Sequence, residues 1–215
     1  MHKTVPELRI DRAKSARAML ILAHGAGAPM DSPFMETMVT LLVERNINVA
    51  RFEFSYMAKR RIDQKRRPAP KADTLISAYA SALMVAASDG PLFIGGKSMG
   101  GRIATMLADD AYSKRQIRGA ICLGYPFHPP NKPEQTRTGH LSDLKAPLLI
   151  VQGERDPFGT ATDVATYTLS PRVRFVWVPD GDHDLGPRGA SGYTRKSNLA
   201  HAADAIAAFV AEFTD

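Results

Sequence analysis

Cysteine is nearly missing from this chain: Cys122 is the only one in 215 residues. A single thiol excludes an internal disulfide framework and fits a reducing compartment. It sits in the apolar run "GAICLGYP", where a buried packing role is expected, since a reactive thiol needs an electropositive, partly exposed setting. Long apolar runs are missing too. None approaches the roughly 18–20 residues needed to span a bilayer, so no membrane partner is expected. Basic residues precede "AMLILAHGAGA", which gives that region a loose likeness to a secretory leader. Its uninterrupted apolar part is only Ala18 to Ala23, shorter than the roughly 7–15 residues of a leader core. The segment reads as a buried strand and the protein as cytoplasmic. Internal repeats and long low-complexity linkers are also absent.

Net charge is lacking outside one place. The chain has 28 basic and 22 acidic residues, a formal net charge of +6. Residues 55–71, "SYMAKRRIDQKRRPAPK", hold seven of the bases (Lys59, Arg60, Arg61, Lys65, Arg66, Arg67, Lys71) and one acid, Asp63, so 21 bases and 21 acids cancel elsewhere. The basicity belongs to one segment, which Pro68 and Pro70 lead us to read as a loop. It is expected either to be a solvated loop or to guide an acidic substrate or partner. Its lone aromatic, Tyr56, leaves few stacking platforms, so nucleic acid is not expected as the main partner.

Apolar runs and helical stripes alternate along the chain. Strands are expected over 18–24, 47–54, 91–96, 119–127, 147–154 and 173–179. Helices are expected from Ser32-Pro33 onward, over 72–88, from Met99 to about Asp110, around 160–169 and over about 194–213. The run "AMLILAH" is continuously apolar, as in a strand covered on both faces. The pattern predicts one α/β domain over residues 1–215: a mostly parallel sheet with helices on both faces. Ligands in such sheets bind at the carboxyl ends of the strands, so the loops after 24, 54, 96, 127, 154 and 179 should share one face.

One of those loops is "GGKSMGGRIA", residues 95–104. Gly96-Lys97-Ser98 looks like the tail of a phosphate-binding loop, but G-x-x-x-x-G-K-[ST] needs a glycine where Pro91 stands. Gly96-Lys97-Ser98-Met99-Gly100 also reads G-x-S-x-G. That turn presents a nucleophilic serine after a strand and before a helix, and its small flanking residues let the two elements approach. The plainer alternative is a glycine-rich turn that only packs helix on strand. Partners downstream favour the nucleophile. In this architecture an acid and then a histidine follow the serine along the chain. Asp156 lies just past the strand "PLLIVQGE", and His183 just past "VRFVWVPDGDHDL". His183 would take the Ser98 proton and return it, and Asp156 would orient the imidazole. Asp156 could instead be a turn residue before Pro157, and the acids around His183 raise the thought of a metal. No second histidine stands at ligand spacing, so neither metal nor cofactor is expected. Asp180, Asp182 and Asp184 stand in reserve for the acid role. The oxyanion donors would be the amides of Met99 and Ala26. His24 is expected to fix the loop that carries Ala26. Lys97 and His128 are candidate substrate contacts, although packing is the plainer role for His128 and for His140.

The segments "HGAG" (24–27), "GKSMGG" (96–101), "GERDPFG" (153–159) and "DGDHDL" (180–185) together resemble the α/β-hydrolase superfamily over essentially the whole chain. "FEFSYM", "GKSMGGR" and "GYPFHPPNKPEQTRTGHL" look like a narrower group, small bacterial hydrolases related to dienelactone hydrolases. Similar domains occur in an animal histone-acetyltransferase complex subunit and a testis-expressed protein. The resemblance implies the fold and the triad Ser98, Asp156, His183, and supplies no substrate. Only His128 to Ala146, with Pro129, Pro130 and Pro133, stands where larger relatives carry a lid, so no large cap and a shallow site are expected. The expected activity is hydrolysis of a small ester-like substrate, a carboxylic ester or thioester, through an acyl-enzyme. A binding or scaffold module with little turnover, and a serine peptidase, are the alternatives.

Overall fold

Ala18–Ala23 has six consecutive apolar residues, and all six are buried. Such a strand has no solvent face, so it must lie inside a sheet covered on both sides. In the computed structural model, which describes residues 6–86 and 90–214, this strand (β2) runs parallel to its neighbours on either side: β3 (Ile47–Phe52) and β4 (Leu92–Lys97). The sheet continues in parallel through β5 (Gly119–Leu123), β6 (Leu148–Gly153) and β7 (Val173–Val178). A short strand β1 (Arg9–Asp11) adds antiparallel to β3, giving seven strands in the order β1-β3-β2-β4-β5-β6-β7.

The side-chain alternation of β2 sorts the core into two layers. Met19, Ile21 and Ala23 pack with α3 (Ala72–Val85) and α4 (Met99–Ser113). Ala18, Leu20 and Leu22 pack with α1 (Pro33–Val43) and α6 (Arg195–Glu212). The expected mostly parallel α/β sheet is therefore present, and it is an α/β-hydrolase fold. No large cap covers it: residues 128–146 hold only a single 3-10 turn at Gly139–Leu141. Among the described residues no helix is long and apolar enough to cross a membrane.

Four local expectations change. The basic segment 55–71 is not all loop, because Ser55–Asp63 forms a helix, α2. Tyr56 and Met57 give it a buried anchor, and Arg61 ties it to Glu53 and Asp31. Pro68 and Pro70 fall after it and do not interrupt it. The expected helix at 160–169 shrinks to α5, Ala161–Val164. Thr160 and Asp163 cap its start, but the Thr166 hydroxyl takes the Asp163 carbonyl at 2.7 Å, a side-chain bond that competes with the helix ladder. The expected strand 119–127 ends at Leu123, because Gly124 turns the chain out at φ 67. β1 was not foreseen; its Asp11 accepts from the fully buried Arg51 at 2.7 Å. The end of the expected 72–88 helix, at 87–88, lies outside the described residues.

One polar group inside the core holds the strand that leads to Ser98. Tyr79 of α3 is fully buried, and its hydroxyl accepts the Gly95 amide at 2.8 Å while lying 2.8 Å from the Ile21 carbonyl and 2.7 Å from that of Gly95. Removing the hydroxyl strands a buried amide, which costs about 1–3 kcal/mol. Tyr79→Phe is therefore expected to lower the unfolding free energy by about that much in urea denaturation.

Candidate active site

β4 delivers its last residues to a turn that most side chains could not occupy. Ser98 sits at φ 51, ψ −115, immediately before α4, in a region where a non-glycine residue is strained. The turn closes because its flanks lack side chains. A Cβ on Gly96 would lie 2.5 Å from the Gly100 carbonyl carbon, and one on Gly100 would lie 2.5 Å from the His24 carbonyl oxygen. Such approaches are closer than van der Waals contact, so strand and helix meet at this distance only with glycine there.

The three residues separated in sequence meet over this turn. His183 Nε2 lies 2.9 Å from Ser98 Oγ, and His183 Nδ1 lies 2.8 Å from Asp156 Oδ2. A carboxylate only accepts, so Nδ1 carries the proton and Nε2 is left to accept the Ser98 hydroxyl. Asp156 is fully buried. Its Oδ1 accepts the Phe158 amide at 2.9 Å, and its Oδ2 also accepts Gln152 Nε2 at 2.9 Å. The three reserve acids are committed elsewhere. Asp180 pairs with Arg188 and Arg155, and the Arg188 hydrogen bond foremost holds its carboxyl down at about 2. Asp182 accepts the Asp184 and Gly186 amides, and Asp184 pairs with Lys97.

Two further groups hold the imidazole. The Phe158 ring lies over that of His183 with centroids 4.3 Å apart. Lys97 is buried beneath the histidine loop: Nζ donates to the His183 carbonyl at 2.8 Å, lies 3.2 Å from Asp184 Oδ1 and sits 5.4 Å over the Phe34 ring. Burial pulls its pKa down and the Asp184 charge opposes that. Lys97 thus both lines the cavity over Ser98 and pairs with a carboxylate.

That cavity, about 670 Å³, reaches from Ser98 and His183 to Ala26, Phe34, Met35 and Phe158. The Gly25–Ala26 loop borders it: a Cβ on Gly25 would lie 3.8 Å from Ser98 Cβ. This loop is fixed from below. His24, buried and pushed toward its neutral form by that burial, accepts the Phe54 amide through Nε2 at 3.1 Å and donates from Nδ1 to the Gly25 carbonyl at 2.7 Å. Tyr56 of α2 donates to the Ala26 carbonyl at 2.9 Å, and Arg60 to that of Gly27 at 3.1 Å. Met99 opens α4, and first-turn amides have no intrahelical acceptor. His128 is not among the residues lining the cavity. It is buried, with Nδ1 on the Pro129 carbonyl at 2.9 Å and Nε2 3.7 Å from Asp163, so it packs the short lid segment. Of the basic segment, Arg60, Arg61 and Arg67 are tied to neighbours in the fold. Among the described residues no group of three His, Cys, Asp or Glu side chains is arranged to hold a metal ion.

Sequence reasoning missed Gln152, Phe158 and Tyr56 as parts of this site. A lone glutamine inside the apolar run "PLLIVQG" was the available signal, since a buried amide must have partners. Nothing in sequence spacing marked the other two.

A mostly parallel sheet, a strained serine turn between strand and helix, and a His-Asp pair reaching the serine from the ends of later strands define the α/β-hydrolase class. The chain belongs to the alpha/beta hydrolase domain family, whose model matches residues 16–211. Solved structures share the fold at low sequence identity. A dienelactone hydrolase from Anabaena variabilis has 19% identity and a TM-score of 0.74, covering 99% of this chain and 94% of that one. An alpha-beta serine hydrolase homologue from Coxiella burnetii has 18% identity and a TM-score of 0.70, covering 95% and 91%. A serine hydrolase described as lacking a lid, from Xanthomonas campestris, has 17% identity and a TM-score of 0.68, covering 96% and 88%.

Gln152 supports the site at the buried carboxylate of Asp156. Its amide also accepts the Tyr125 N–H at 2.7 Å, so Gln152→Leu strands that N–H and one lone pair of Asp156. Each unmet group costs about 1–3 kcal/mol. The variant is expected to unfold at clearly lower urea concentration than the wild type, with the slope unchanged.

Proposed function

We propose that this protein is a serine hydrolase that cleaves a small carboxylic ester or thioester, acting as one domain in the cytoplasm without metal or cofactor. The observation that carries the reading is the unbroken line from Asp156 through His183 to Ser98 Oγ, with contacts of 2.8 and 2.9 Å. Scaffolding needs no such line, and a strained serine backbone in a hydrogen-bonded relay is the arrangement of an activated nucleophile.

The reaction runs as an acyl transfer. His183 Nε2 takes the Ser98 proton while Oγ attacks the substrate carbonyl carbon. The carbonyl electron pair moves onto oxygen, which the amides of Met99 and Ala26 receive, aided by the positive N-terminal end of α4. Asp156 holds the imidazolium. The tetrahedral adduct collapses, His183 protonates the departing alkoxide or thiolate, and an acyl-Ser98 ester remains. Water, deprotonated by His183, then releases the acid and restores Ser98. Pro33, Phe34, Met35 and Phe158 give the cavity an apolar lining, which suits an uncharged acyl or alkyl chain. Lys97 and Phe158 act through His183 by holding its loop and ring.

Losing the nucleophile of such a triad can lower turnover on the order of 10⁶-fold. Ser98→Ala is expected to bring hydrolysis of p-nitrophenyl acetate and butyrate to the buffer rate while its melting curve stays near the wild type. Wild-type turnover retained in folded Ser98→Ala would refute the proposal.

A further inference from the structure

Four titratable side chains line the cavity over Ser98: Lys97, His183, Asp184 and Arg195. The first three are already engaged. Lys97 donates to the His183 carbonyl at 2.8 Å and pairs with Asp184 at 3.2 Å. The His183 ring is held between Asp156 and Ser98. Arg195 is exposed, and among the described residues its side chain makes no ion pair and no hydrogen bond. Two acids close in sequence to the lining are spent elsewhere. Asp31 is taken by Arg61 at 2.6 Å, and Asp182 accepts the Asp184 and Gly186 amides.

The helix that carries Arg195 gains nothing from a cation there. Arg195 opens α6, whose first turn also holds Lys196 and has no acid. Positive side chains oppose the positive end of a helix. The start of α6 is capped without them, since Thr194 Oγ accepts the Ser197 amide at 3.0 Å. The rest of the lining is largely apolar, from Pro33, Phe34, Met35 and Phe158, and the Ser32 hydroxyl on it makes no cap bond. An apolar cavity with one unmatched guanidinium suits a chain that is uncharged along its length and anionic at its tip. The basic segment 55–71 adds no residue to this lining, so discrimination inside the cavity falls to Arg195.

We propose that Arg195 is a specificity-determining residue: it receives a carboxylate at the end of the substrate remote from the scissile bond. The substrate class is then an ester or thioester with a carboxylate-tipped chain. This rests on the reading of Ser98 as the nucleophile, and adds to it which esters are preferred.

Paired esters test this by kcat/KM at low ionic strength. The mono-p-nitrophenyl esters of adipic, suberic and sebacic acid are each compared with the neutral p-nitrophenyl ester of the same chain length. A last pair, phenyl acetate and its para-carboxy derivative, carries the anion on the departing group. The wild type is expected to prefer the anionic member of at least one pair through a lower KM, and the preference should fade as sodium chloride is added. Arg195→Gln should cut that preference about fivefold by raising KM, the loss of one exposed ion pair. Arg195→Glu should cut it further, because attraction becomes repulsion. Lys196→Gln, in the same turn of α6 but outside the cavity lining, and Arg66→Gln in the basic segment should keep it. Melting curves guard against misfolding: Arg195→Gln is expected to melt no lower than the wild type, because a cation leaves a helix N-terminus. A preference among the acyl pairs places the carboxylate on the acyl chain, one confined to the last pair places it on the leaving group, and both uphold the site. No preference in any pair, or a preference that survives Arg195→Glu, overturns the proposal, as does an equal loss in Lys196→Gln or Arg66→Gln. Hydrolysis of the neutral esters tells that result from failure of the hydrolase reading, which would abolish turnover of both members of every pair and overturn both.

Discussion

The buried carboxylate of Asp156 is the constraint around which this site is organised. A charge removed from water must be met by donors, or it forces protonation or unfolding. Three donors meet it: His183 Nδ1–H, Gln152 Nε2 and the Phe158 amide. His183 ties it to the loop after β7, Gln152 to the end of β6, and the Phe158 amide closes the turn that Asp156 itself begins. Gln152 also holds the Tyr125 backbone, which fixes the exit of β5. Phe158 holds the imidazole from its flank. The tautomer of His183, and with it the free lone pair facing Ser98, follows from satisfying this one charge.

The histidine loop is fastened a second time from the serine side. Lys97 stands beside Ser98 in sequence and reaches beneath the loop to the His183 carbonyl and to Asp184. Ser98 and His183 are therefore linked by a side chain as well as by the Oγ contact. The exit of β5 must leave room for this. At Gly124 a Cβ would lie 2.9 Å from the His183 carbonyl oxygen and 3.2 Å from Lys97 Nζ, and φ 67 disfavours a side chain there in any case. A cation next to a nucleophile is easily taken for a substrate contact. Here it is first a brace, and its burial is tolerable because the loop and Asp184 receive its charge.

The sheet was readable because hydrophobic runs report burial on both faces, as "AMLILA" does, and because glycine spacing reports close approach, as in "GKSMGG". The order Ser98, Asp156, His183 was readable because each residue follows a strand, and parallel strands end on one face. What escaped depended on groups that meet only in three dimensions. The three residues of β1 carry too little pattern to register. In α2 a run of bases masked the two buried residues that anchor it. Gln152 stood in plain view, but its partners lie on two separate loops, Tyr125 after β5 and Asp156 with Gly159 after β6. His128 looked available in a short lid segment, and the fold turns it inward.

The central claim, that Ser98 is a nucleophile driven by His183, can be read without knowing the natural substrate. A fluorophosphonate reacts with an activated serine, and the site of attachment is found by peptide mass mapping. The wild type is expected to carry one label, on Ser98, and His183→Gln, still folded, is expected to take up almost none over the same time. An unlabelled Ser98 in folded wild type, or equal labelling in His183→Gln, would contradict the account.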